Sequence, residues 1–120
     1  MDTEQSFESL LVAITESVNV RIQQDLEMGF DNVLLLYFEK KLDKKTLALF
    51  SPLQKEAVLR MTHAMMILGE YAEELQQEMP DHEVEEWIDE LHDYCYASLI
   101  EPQEMVLEPV ADLVETLFAE

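Results

Sequence analysis

Turn-forming residues are scarce in this chain, which has two glycines and four prolines among its 120 residues. An all-β fold needs turn residues roughly every 8–12 positions, so the scarcity argues against one. The many Leu, Ala, Glu and Gln residues and the seven methionines favour helix instead. Apolar residues make up 48% of the chain, enough for a hydrophobic core. We therefore expect an all-α fold, a single compact bundle of about four to six helices, with residues 1–120 forming one helical domain.

Apolar periodicity places the helices of the N-terminal half. The first helix, over about residues 4–27, has one apolar face formed by Phe7, Leu11, Ile14, Val18, Ile22 and Leu26. Gly29 is a natural stop, and Asp31 is placed to cap a second segment over about residues 32–42. The apolar run 33–38 in that segment also fits a buried strand, and a helix is favoured because nothing nearby offers a pairing partner. Residues 43–50 are expected to form a short helical turn.

A capping box marks the start of a long third helix. Ser51 can cap, Pro52 suits the first helical position, and Gln54 completes the box. The helix should run to about Met79 with a main apolar stripe formed by Leu53, Ala57, Met61, Ala64, Leu68, Tyr71 and Leu75. Further apolar residues off that stripe are Leu59, Met66 and Ile67. A helix that is apolar nearly all round is expected at the centre of a bundle, covered by other helices or by a second copy of the chain.

The next helix, over about residues 82–100, divides into two arcs. Its apolar arc contains Val84, Trp87, Ile88, Leu91, Tyr94, Cys95, Ser98 and Leu99. Its acidic arc contains Glu83, Glu85, Glu86, Asp89, Glu90 and Asp93. A tight turn is expected at Pro80-Asp81, before this helix, and Pro102 is expected to end the helix. Pro109 is expected to open a last helix that reaches about Phe118.

Charge is distributed very unevenly along the chain. Residues 61–120 contain seventeen carboxylates and no Lys or Arg, and the whole chain has a formal charge of −20. Carboxylates four residues apart destabilise a helix by about a few tenths of a kcal/mol per pair. A charge run is usually a solvated face, but the complete lack of neutralising cations here indicates a cationic partner. Direct binding of nucleic acid or of an anionic membrane is excluded, since both are held by Lys and Arg.

The cysteine content and the N-terminus indicate the compartment. The single cysteine, Cys95, allows no intrachain disulfide, which suits a reducing cytosol. Residues 1–9 are acidic and lack the basic region of a signal peptide. We therefore expect a cytoplasmic protein with Cys95 as a buried, unreactive thiol.

The leading hypothesis is a non-enzymatic acidic binding protein that inhibits or shields a cationic protein, such as a nuclease, by electrostatic mimicry of DNA. Nuclease immunity proteins and antagonists of defence enzymes are proteins of this class. Tyr96 falls among the carboxylates on the helical wheel and is expected to anchor the interface. No cofactor is expected. The predicted partner-binding residues are Glu70, Glu73, Glu74, Glu83, Glu86, Asp89, Glu90, Asp93 and Tyr96.

A small acidic adaptor or secretion chaperone is the second hypothesis. Such a protein would hold its client through exposed apolar surface. Methionine side chains are flexible and suit an adaptable groove, and the candidates are Met61, Met65, Met66 and Met79.

Two pairs of acids suggest a third hypothesis. Glu70-x-x-Glu73 and Glu90-x-x-Asp93 resemble the magnesium-binding motif of the all-α MazG-like nucleotide pyrophosphohydrolases, over about twenty-five residues. The resemblance implies that these four acids hold Mg²⁺, which grips the phosphates of a nucleotide. Both pairs lie opposite the apolar stripes of their helices. No transition-metal site is expected, because Asp89-x-x-His92 is a single copy of a spacing that di-iron bundles use twice.

Overall fold

The bundle is described by a computed structural model over residues 3–78 and 83–119. All of the regular structure in these ranges is helical, which confirms the expected all-α bundle. The helices are α1 (Thr3–Met28), α2 (Phe30–Tyr37), α3 (Lys44–Leu47), α4 (Pro52–Glu78), α5 (Glu83–Cys95), a π-helical segment (Tyr96–Ile100), α6 (Glu101–Leu107), a 3-10 turn (Glu108–Val110) and α7 (Ala111–Phe118).

Helix α4 is the centre of the bundle. It packs against α1, α2, α5, the π-helical segment and α6. Leu59 and Ile67 lie off its main stripe and are nevertheless buried, as expected for a helix that is covered on several sides. The predicted apolar stripe begins too early, because its first residue, Leu53, is 63% exposed in the first turn of the helix.

The capping box predicted at the start of α4 is present. The backbone N–H of Ser51 donates to Oε1 of Gln54 at 2.9 Å, and the backbone N–H of Gln54 donates to Oγ of Ser51 at 3.2 Å. Two N–H groups at the helix start are thereby satisfied. The box fixes where the central helix begins.

Helices α1 and α2 meet at Gly29. Its φ of 94° is a left-handed conformation that glycine adopts without strain, so α1 ends at Met28 as predicted. The segment after Gly29 is helical, which settles the choice between helix and strand for residues 33–37. Asp31 does not cap this helix, because α2 begins at Phe30, two residues before the predicted start at residue 32. Asp31 lies in the first turn of α2 instead, where it pairs with Lys55 at 2.8 Å.

The apolar face of α1 shifts by one position near its C-terminus. Leu26 was predicted to continue the stripe after Ile22, but Leu26 is exposed and Asp25 is buried. Steps of three and four residues from Ile22 both remain close to the same helix face. Asp25, three residues after Ile22, is the buried residue here, and its side chain contacts the buried side chain of His63 on α4.

Pro102 does not end the helical run as expected. The chain passes from α5 through the π-helical segment into α6 without leaving helical geometry. Proline has no N–H to donate, and its ring clashes with the backbone carbonyl four residues earlier. A regular α-helical turn is therefore disrupted just before Pro102. The wider π turn accommodates this position, with the N–H of Glu101 bonding to the carbonyl of Tyr96.

The burial of Leu59 predicts a large effect of its truncation. Leu59→Ala is expected to lower the free energy of unfolding by about 2–5 kcal/mol, because it leaves a cavity beside several helices. Leu53→Ala makes the same change on the same helix at an exposed side chain, and is expected to cost less than about 0.5 kcal/mol. Urea unfolding followed by far-UV circular dichroism measures both, and equal losses would contradict the central position of α4.

Candidate binding surface

The acidic arc of α5 faces solvent. Glu85, Glu86, Asp89, Glu90 and Asp93 are all exposed, while Leu91 and Cys95 on the opposite arc are fully buried. Glu83 is the first residue of α5, and its side chain lies outside the described part of the structure. The sequence pattern thus placed the two faces of this helix correctly.

The basic residues of the first half leave the α5 acids unneutralised. Within residues 3–78 and 83–119, the ion pairs within 4.0 Å are Arg21–Glu70, Lys55–Asp31, Arg60–Glu56 and His63–Asp25. Lys41 donates instead to the carbonyls of Leu117 and Ala119 at the end of α7. None of these pairs includes an acid of α5, so its carboxylates form a continuous anionic row.

The acids of α4 lie in a different groove. Glu70 and Glu74 line a polar groove of about 290 Å³ between α1 and α4, and Glu73 is exposed beside them. Across this groove, Nη2 of Arg21 lies 3.4 Å from Oε1 of Glu70. The structure therefore brings Glu70 and Glu74 toward α1.

An apolar groove of about 530 Å³ runs between α4, the π-helical segment and α7. Its lining is Met61, Met65, Leu68, His92, Tyr96, Ile100, Glu104, Val114, Glu115 and Phe118. Of the four methionines proposed for an adaptable groove, Met61 and Met65 line it. Met66 is exposed elsewhere on α4, and Met79 lies outside the described residues.

Tyr96 links the acidic arc to this groove. Its side chain is partly exposed, and its hydroxyl donates to Oε2 of Glu104 at 2.5 Å. This hydrogen bond to the carboxylate raises the pKa of Tyr96. Glu85, Asp89, His92 and Tyr96 follow one another at steps of four, three and four residues, which places them in one row along the helix. His92 and Tyr96 line the groove, and Asp89 precedes His92 by one helical turn, so this row leads from the acidic arc to the groove.

A buried polar pair joins α1 to α4. Nε2 of His63 lies 2.5 Å from Oδ2 of Asp25, and both side chains are buried. Nδ1 of His63 has no hydrogen-bond partner among the described residues. Neither His63 nor Asp25 was singled out from the sequence. The available signal was that Asp25 follows Val18 and Ile22 on one apolar face, and that His63 sits in the apolar middle of α4.

The acids of the MazG-like pattern do not converge. No three His, Cys, Asp or Glu side chains in the described ranges are grouped closely enough to hold a metal ion. Glu70, Glu73, Glu90 and Asp93 belong to those ranges and are all exposed. The four-acid Mg²⁺ cluster that the resemblance implies is therefore not assembled by this fold.

Comparison of the chain with protein-family models, with curated proteins and with solved structures gives no match. In the part of the chain that the structure describes, none of the helices has both the length and the apolarity that crossing a bilayer requires.

Asp25→Asn tests the buried pair. The substitution keeps the size of the side chain but weakens its bond to His63, so we expect a loss of about 1–3 kcal/mol in the free energy of unfolding. Asp31→Asn weakens the ion pair with Lys55, in which the Asp31 side chain is 58% exposed, and should cost less than about 1 kcal/mol. Urea denaturation compares the two, and a loss at Asp25 no larger than at Asp31 would argue against a stabilising pair.

Cys95 is expected to react slowly in the folded protein. Its side chain is fully buried, and burial raises the pKa of the thiol, so less thiolate is present at neutral pH than in a free cysteine. A thiol reagent should modify the native protein at least about tenfold more slowly than the urea-unfolded chain. Equal rates in the two states would show that Cys95 is accessible.

Proposed function

We propose that this protein is a non-enzymatic acidic binding protein that inhibits or shields a cationic, nucleic-acid-binding protein in the cytoplasm. The observation that supports the proposal is the row of exposed carboxylates on α5 without cationic neighbours among the described residues. Placing like charges together costs folding free energy, and a cationic partner would relieve that cost on binding.

The spacing of the α5 acids suits a surface that normally holds nucleic acid. Helix α5 has 13 residues and is about 20 Å long, at ~1.5 Å per residue. Its five exposed acids lie within about 12 Å along the axis, from Glu85 to Asp93, at an average of one per about 3 Å, close to the ~3.4 Å per phosphate of one DNA strand. A basic groove that follows a phosphate backbone would meet a comparable series of anions here.

Electrostatic steering followed by occlusion is the mechanism that such a surface supports. Complementary charge raises association rates above the roughly 10⁵–10⁶ M⁻¹s⁻¹ of uncharged encounters. Once bound, the helix blocks the groove that nucleic acid would enter. No step in this mechanism breaks or forms a covalent bond.

The adaptor hypothesis is the second candidate, favoured by the apolar groove that Met61 and Met65 line. In that case the client is held by apolar contact rather than by carboxylates. Client binding would then survive removal of the α5 charges, which the following variants test.

Neutralising the α5 acids is expected to weaken partner binding. In the triple variant Asp89→Asn, Glu90→Gln and Asp93→Asn, affinity for a partner purified from the source cell should fall at least about tenfold, since three charge contacts are lost. The wild-type affinity should also fall at least about tenfold between roughly 50 and 200 mM salt. Isothermal titration calorimetry measures both effects.

The control variant carries the same change in net charge elsewhere. Glu16→Gln, Glu27→Gln and Glu39→Gln neutralise three exposed acids of the N-terminal half and should leave the affinity within about twofold. Equal losses of affinity in the two triple variants would show that binding depends on net charge alone and not on the position of the α5 acids. Affinity that is indifferent to salt would reject mimicry and favour the adaptor.

A further inference from the structure

We propose that the apolar groove between α4, the π-helical segment and α7 binds a basic amphipathic helix of the cationic partner. The apolar face of that helix would enter the groove, and its Lys and Arg side chains would meet the acids on the rim. The inference rests on the proposed function and specifies which segment of the partner the protein recognises.

The floor of the groove is apolar and adaptable. Six of its lining side chains are hydrophobic, namely Met61, Met65, Leu68, Ile100, Val114 and Phe118. Leu68 and Ile100 belong to the core and form a fixed base, whereas Met65 is 40% exposed at the opening. Methionine side chains can adjust to the shape of a bound apolar face. The volume of about 530 Å³ lies within the range of ligand-binding cavities.

The rim of the groove is acidic and has no basic counterpart. Glu104 and Glu115 line it, and Asp89 lies one helical turn before the lining residue His92. All ten lining residues belong to residues 61–120, which contain no Lys or Arg. The groove thus combines an apolar floor with uncompensated carboxylates, which an amphipathic helix with a basic polar face complements on both counts.

Charge also argues against a second copy as the occupant. Each copy has a formal charge of −20, so self-association at this rim would bring carboxylates against carboxylates. An uncharged apolar ligand would leave the rim acids without partners. A basic amphipathic helix is the occupant that uses every part of the lining.

The π-helical segment shapes the groove. Its first and last residues, Tyr96 and Ile100, both line the wall. The hydroxyl of Tyr96 is held by Glu104, which fixes the aromatic ring between the floor and the rim. Wide turns of this kind often occur at functional sites. Pro102 follows this turn, and its missing N–H and its ring favour a widened turn before it.

A designed Leu–Lys peptide provides the probe. A fluorescein-labelled helix with Leu on one face and Lys on the other is titrated with the full-length protein by fluorescence anisotropy. A peptide of the same composition with a scrambled order has the same charge and no apolar face. We expect the amphipathic peptide to bind at least about tenfold more tightly than the scrambled one.

Adjacent methionines provide matched variants. Met65 lines the groove and Met66 does not, although the two side chains are similarly exposed at 40% and 45%. Met65→Gln should weaken binding of the amphipathic peptide at least about fivefold, because a polar amide replaces an apolar contact. Met66→Gln should change it by less than about twofold.

The rim is tested by a second matched pair on α7. Glu115 lines the groove, and Asp112 is exposed on the same helix outside the lining. Glu115→Gln should weaken binding of the amphipathic peptide at least about twofold, whereas Asp112→Asn should leave its binding unchanged. Equal effects of the two variants would overturn the role of the rim.

Each remaining outcome overturns the groove proposal in a different way. Equal binding of the two peptides, with Met65→Gln as tight as Met66→Gln, would overturn it and leave the acidic surface of α5 standing. Failure of both peptides to bind at low salt would overturn both proposals. A wild-type dimer in sedimentation velocity that Met65→Gln dissociates would assign the groove to a second copy.

Discussion

Burial of α4 on several sides is the interaction on which the rest of the structure depends. A buried leucine contributes about 1.5–3 kcal/mol, whereas a pair of like charges one helical turn apart costs about a few tenths of a kcal/mol. A single side chain such as Leu59 or Leu68 therefore offsets several acidic pairs on the surface. The hydrophobic core is what allows the second half of the chain to carry seventeen carboxylates and no neutralising cation.

The positions of the basic residues determine which acids remain free. Arg60 bonds to Glu56 and Asn19, Lys55 pairs with Asp31, and Lys41 reaches the end of α7. These contacts tie the helices of the first half to one another and to the C-terminus. Arg21 differs from them because its partner, Glu70, is an acid of the second half of the chain. The acids of α5 form an ion pair with none of these side chains.

The groove and the acidic arc belong to one surface because α5 continues through a π-helical turn. His92 and Tyr96 are near the C-terminal end of the acidic row and also form part of the groove lining. The two hypotheses drawn from the sequence, mimicry by carboxylates and adaptor binding through methionines, thus point to neighbouring parts of the molecule. A partner helix with apolar and basic faces would engage both parts.

Local patterns in the sequence predicted most of the helices. Gly29 and the Ser51–Gln54 box fixed helix ends, and the two arcs of α5 followed from its periodicity alone. The prediction that Pro102 ends the helix was wrong, because a proline can either end a helix or be accommodated by a local change in its geometry. Whether the chain stops or widens into a π turn depends on packing beyond the proline.

Amino-acid order by itself determined the charge asymmetry, the helical class and the solvent-facing acids of α5, because these depend on residues within a few turns of one another. The tertiary structure alone decided that Asp25 meets His63, that Arg21 crosses to Glu70, and that Met65 lines a groove while Met66 does not. These contacts join residues from different helices. Local periodicity gives the face of each helix and does not determine which other helix that face meets.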